Sequence, residues 1–170
     1  MLHSYEKVEA VPGLVSRLFE LHAQMYQHGA RNFMLVDLPP VERSPSGPSV
    51  PWHHHDDASL TSLVSIAGPS PQKAQRLYAD RPPSTAVWNA ALRAEAKNFS
   101  ASHNEATVLI YSSWMTFTKV LDDPTAFGFA QEDVKKAAGS IWVDRLHPTS
   151  KMHEIIAQDM TKLLSSVESF

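Results

Sequence analysis

Apolar residues recur at helical spacing between residues 11 and 28, where Val11, Leu14, Leu18, Leu21 and Met25 mark one face. Pro12 suits the first turn of such a helix, and Gly29 suits the position just past its end. The helical period then gives way to Asn32-Phe33-Met34-Leu35-Val36-Asp37, an apolar run of strand length that reads as a buried strand. A second helix is predicted from residue 84 to about residue 99. Ser84 is its expected cap, and Val87, Trp88, Ala91, Leu92 and Phe99 form its apolar face. Thr107-Val108-Leu109-Ile110-Tyr111, apolar and rich in β-branched residues, is the second predicted strand.

After Ser112-Ser113-Trp114, a short helix is expected over residues 115–121 and ends at Asp122-Asp123-Pro124. Phe127-Gly128-Phe129 reads as a loop, and residues 131–138 as one or two helical turns. The last helix starts beyond His147-Pro148 with Thr149 or Ser150 as its cap. Met152, Ile156, Met160, Leu163 and Val167 lie on one of its faces. Helix, strand, helix, strand, helix predicts an α/β fold with a parallel sheet. Two strands are few for such a sheet.

Residues 39–83 differ in kind. They hold nine of the twelve prolines, with Gly47, Gly68 and several serines, and predict a long irregular excursion, with a short helix over 72–78 as its one regular piece. Within it, Pro51-Trp52-His53-His54-His55-Asp56-Asp57 raises a metal reading. Consecutive side chains rarely converge on one ion, so a solvated loop is the simpler expectation. No cofactor is expected.

Composition narrows the class. The chain has 170 residues, 43% hydrophobic and 19% charged, which is ordinary for one globular domain. A net charge of −3 argues against a nucleic-acid or anionic-membrane partner. With no cysteine there is neither a disulfide framework nor a thiolate metal site. The residues after Met1 show no basic and apolar leader pattern, and no apolar run reaches the roughly 20 residues of a membrane span.

The chemistry concentrates in Ile141-Trp142-Val143-Asp144-Arg145-Leu146-His147-Pro148-Thr149. A carboxylate three residues ahead of a histidine can accept the ring N–H, hold one tautomer and stabilise the imidazolium that forms on proton uptake. The same spacing also suits a purely structural pair that anchors the start of the last helix.

Three stretches in order resemble the SGNH, or GDSL, family of ester hydrolases. The first runs from Tyr26-Gln27-His28-Gly29 through Met34-Leu35-Val36-Asp37-Leu38-Pro39-Pro40, similar to a helix, glycine turn and strand that end in Pro-Pro. The second is Val87-Trp88-Asn89-Ala90-Ala91-Leu92, similar to the family's Asn-x-x-Leu helix. The third is Asp144-Arg145-Leu146-His147-Pro148-Thr149, which matches its C-terminal Asp-x-x-His block. The combination is most similar to fungal acetylesterases acting on acetylated sugars.

The resemblance implies the C-terminal portion of a flavodoxin-like, three-layer α/β/α domain that takes a small-molecule or carbohydrate ester. His147 would be the general base and Asp144 its orienting partner in a Ser-His-Asp triad. It also implies a family whose members are often secreted. The family's Gly-Asp-Ser nucleophile block and Gly-x-Asn-Asp oxyanion block do not occur in these 170 residues. Ser112 and Ser113 follow a strand but lack the flanking glycines of a nucleophile elbow. The sequence therefore leaves two main expectations: a truncated hydrolase domain carrying the Asp-His half of a site, or an inactive remnant serving as a binding module. Either way, the strand ending at Asp37 would present an open apolar edge, which favours self-association or marginal stability.

Overall fold

The computed structural model describes residues 6–46 and 84–167. The metal reading of His53, His54 and His55, the short helix at 72–78 and most of the Pro-rich excursion lie outside these residues. Among the described residues the chain is α/β, with a two-stranded parallel sheet. Helix α1 (Glu6–Gln27) leads into β1 (Asn32–Val36), helix α2 (Ser84–Ser102) into β2 (Thr107–Tyr111). Helices α3 (Ser113–Asp122) and α4 (Ser150–Ser166) follow, with short 3₁₀ turns between them at Thr125–Phe127 and Gln131–Val134.

Helix α1 begins five residues before the predicted start, which places Pro12 inside the helix rather than in its first turn. Its far end follows the expected chemistry. Gly29 adopts φ +101°, its N–H donates to the Tyr26 carbonyl at 3.0 Å, and the Ala30 N–H reaches back to Met25 O at 3.0 Å. That pair of bonds is a Schellman closure, and it turns the chain into β1. Ser84 is the first residue of α2 rather than its cap, and the helix runs on to Ser102. Helix α3 starts two residues before the predicted boundary. Ser112 caps it, its Oγ accepting the Met115 N–H at 3.3 Å. Of the two candidate caps for α4, Thr149 is the one used, through the Met152 N–H at 3.3 Å.

Both strands fall where their apolar runs predict, and they pair from Asn32↔Thr107 to Val36↔Tyr111. Strict alternation along β1 points Phe33 and Leu35 into a core shared with Val11, Val15 and Phe19 of α1 and with Leu92, Ala96 and Phe99 of α2. Phe99 sits at its centre, with the rings of Phe19 and Phe33 5.8 and 5.2 Å away. A second core joins Phe117, Val120 and Leu121 of α3 to Phe129, Ile141, Trp142 and Met152. The Tyr111 hydroxyl, 2.8 Å from Thr116 Oγ1, ties β2 to α3, and Thr116 donates at 2.6 Å to Asp159 on α4.

Among the described residues, the other face of β1 is left largely uncovered. Met34 is 42% exposed and Val36 44% exposed. Parallel sheets in α/β proteins are ordinarily covered on both faces. The apolar face predicted for α4 is also only partly used: Met152 is fully buried, whereas Ile156, Met160 and Leu163 are half-buried.

Candidate functional site

The Asp144–His147 stretch is a tight loop with both feet in the second core. Trp142 and Pro148 form an isolated antiparallel bridge, with Val143 N–H donating to His147 O at 2.8 Å and Thr149 N–H to Ile141 O at 2.9 Å. Ile141 and Trp142 are buried, and the indole Nε1–H donates to Val134 O at 3.0 Å. The loop is held at its base, and its tip faces outward.

At that tip, Asp144 Oδ1 accepts the backbone N–H groups of Leu146 and His147, each at 2.7 Å. Its other oxygen, Oδ2, lies 2.7 Å from His147 Nδ1. The backbone fixes the carboxylate, and the carboxylate in turn fixes the ring. With Nδ1 carrying the proton, Nε2 keeps its lone pair and is the ring's basic atom. The backbone amides of His147 and Leu146, then the imidazole, hold the Asp144 carboxyl well below its ordinary range, at about 2. Asp144 is therefore an anion at any neutral pH. The pair does not cap α4, whose cap is Thr149. Both side chains are open to solvent, His147 at 72% and Asp144 at 54%.

A second polar cluster sits at the carboxyl ends of both strands, around Asp37. Its side chain is fully buried. Oδ2 accepts from Arg93 at 2.6 Å and from Ser112 Oγ at 2.7 Å, and Oδ1 accepts the Trp114 N–H at 2.9 Å. Ser113 Oγ donates to the Asp37 carbonyl. Asn89 completes the junction, its side chain bonding both the N–H and the carbonyl of Leu38 at 2.8 and 2.9 Å. Ser112 and Ser113 are thus committed to Asp37. With both carboxylate oxygens taken up by bonds to α2 and α3, this cluster reads as a clasp joining β1 to those two helices.

Sequence reasoning did not single out Asp37. The available signal was a lone charge closing an otherwise apolar strand, directly before Leu38-Pro39-Pro40.

Between the clasp and the His147 loop lies an open, largely apolar groove of about 420 Å³. Val36, Leu38, Pro39, Pro40, Phe117, Trp142, Leu146, Pro148 and Ile156 line it, with Asp37 and His153 among its polar lining residues. Leu146 and Pro148 flank His147, so the loop stands at the rim of this groove. Trp142 is a core residue with one edge on the groove, and Trp114 is partly exposed beside Asp37. Among the described residues, no three His, Asp or Glu side chains gather as metal ligands, and no helix is long and apolar enough to cross a membrane.

No protein-family model matches the chain. It is similar to a curated protein, the acetylesterase of Thermothelomyces thermophilus, at 26% identity over 136 residues. The match takes in 79% of this chain and 38% of the acetylesterase, so the chain spans well under half the length of that relative. The similarity supports a relationship to ester hydrolases.

Proposed function

We propose that this chain carries the Asp-His half of an ester-hydrolase site of the SGNH/GDSL type, directed at acetyl esters of carbohydrates. The observation that carries the reading is the loop tip: a backbone-locked carboxylate 2.7 Å from His147 Nδ1, with Nε2 left as base. Similarity to an acetylesterase supports the acyl group. In the proposed reaction, Nε2 takes the proton of an attacking serine hydroxyl and later returns it to the departing sugar oxygen, while Asp144 stabilises the imidazolium between the two steps. The serine and the oxyanion donors come from polypeptide other than the described residues, because Ser112 and Ser113 are bound to Asp37.

The alternative is a catalytically inactive binding module. The solvent exposure of the pair favours it, since a working general base is ordinarily enclosed with its nucleophile.

A chimera separates the two readings. In it, this chain replaces the segment of the Thermothelomyces acetylesterase that it matches, and hydrolysis of p-nitrophenyl acetate and acetylated xylose is followed. The esterase reading predicts turnover that falls about a million-fold in His147→Ala, the loss seen when a triad histidine is removed. A folded chimera with no turnover, or with turnover indifferent to His147→Ala, contradicts it.

A further inference from the structure

We infer that residues 41–46 are a positioning strap for His147: the Ser46 N–H grips the peptide group between Arg145 and Leu146, and that peptide aims the Asp144 carboxylate at the ring. The strap's part in catalysis rests on the ester-hydrolase reading above, whereas the grip itself is independent of it.

The bonds stand in series. The Ser46 N–H donates to Arg145 O at 2.7 Å, joining two stretches far apart in the chain. Arg145 O and the Leu146 N–H belong to one planar peptide group, so fixing the oxygen fixes the direction of the N–H. That N–H donates to Asp144 Oδ1 at 2.7 Å, and Asp144 Oδ2 lies 2.7 Å from His147 Nδ1. A bond accepted at the peptide oxygen also polarises the same group and strengthens its N–H as a donor. The strap therefore acts on the ring through Asp144, and touches no reacting atom itself.

A donor on a loose segment would hold nothing, but this one is tied down. Residues 41–43 form a 3₁₀ turn directly after Pro39-Pro40, with the Arg43 N–H on Pro40 O at 2.8 Å and the Ser44 N–H on Val41 O at 3.0 Å. Glu42 accepts from Thr85 of α2 at 3.1 Å, and Arg43 pairs with Asp122 at the end of α3 at 2.7 Å. Ser44 is fully buried, and its carbonyl accepts from Lys135 Nζ at 3.0 Å. Burial, and after it the nearby Arg43 guanidinium, push the Lys135 amine below its ordinary value. A flexible lysine kept partly out of water beside a like charge is held there by the bond it makes. Val41, Ser44 and Leu146 all line the groove, so strap and loop lie side by side along it.

The test uses the full chain and two variants. Ser46→Pro deletes the gripping N–H, and Lys135→Met unties the Ser44 carbonyl. Each should raise the NMR titration midpoint of Asp144 from about 2 toward 3.8 by about half a pH unit, the share of one of the bonds that depress it. Each should also speed exchange of the Leu146 amide about tenfold. Lys135→Arg should restore the original midpoint. Val15→Ala, buried in the other core, should lower the melting temperature and leave both readings alone. An unchanged midpoint and exchange rate in both strap variants, or the same changes in Val15→Ala, would overturn the inference. In the active chimera, both strap variants should lower kcat about ten- to a hundred-fold with KM unchanged. A shifted midpoint beside a chimera without turnover supports the grip while the esterase reading falls. An active chimera whose kcat ignores both substitutions overturns the inference.

Discussion

Asp144 divides its two oxygens between the backbone and a ring, and that division makes its behaviour with pH predictable. Its folded value near 2 lies below the ordinary 3.8. A depressed carboxyl stabilises the fold when ionised, so the contribution is complete above pH 3.8 and is lost as pH falls through about 2. A carbon-detected NMR titration of Asp144 should give a midpoint near 2, and a midpoint at the ordinary value would mean that the loop-tip bonds do not persist in solution. Asp144→Asn in the active chimera is expected to lower kcat about ten-thousand-fold, the cost of a wrongly held tautomer in such triads. This pair was legible in the sequence because its partners lie three residues apart. The Asp37 clasp was not, because Arg93, Ser112 and Trp114 are 56, 75 and 77 residues away. Asp37→Ala should cost about 1–3 kcal/mol in urea unfolding, since it leaves the Trp114 N–H and the Ser112 hydroxyl without their acceptor. A change near zero would show that the clasp contributes nothing net.

At the scale of elements, local signals located the strands well and the helix ends less well. β1 and β2 carry uninterrupted apolar runs bounded by turn residues, and the register Asn32↔Thr107 uses both in full. The start of α1 was misjudged because proline favours a first turn, yet here Pro12 lies within the helix. The expected start of α3 at residue 115 came with no assigned cap; Ser112 fills that role and the helix begins two residues earlier. Gly29 was read correctly, and its positive φ gives a direct test. No atom lies within 4 Å of a Cβ placed on Gly29, so Gly29→Ala introduces backbone strain without a clash. It should cost about 1–2 kcal/mol, the penalty for an L-residue forced into left-handed backbone. An unchanged midpoint of unfolding would show that the turn rearranges.

At the scale of the molecule, the α/β class followed from the order of elements, but the groove and the bare face of β1 did not. Both depend on where α4 lands relative to the sheet, which periodicity does not encode. The apolar face of α4 predicted a covered surface, and only Met152 is fully buried on it. The bare face predicts concentration-dependent, open-ended association of the chain alone, reduced by Met34→Lys. Sedimentation velocity that is independent of concentration would contradict that.

The proposed function treats the Asp144–His147 pair as half of a hydrolytic site, with the nucleophile supplied by other polypeptide. The most direct measurement is hydrolysis of p-nitrophenyl acetate by the purified 170-residue chain beside its His147→Ala variant. The predicted result is turnover no faster than an exposed imidazole provides, in both proteins. Enzyme-like turnover that disappears in the variant would mean that these residues already contain a nucleophile and oxyanion donors, and the account of a half-site would be wrong.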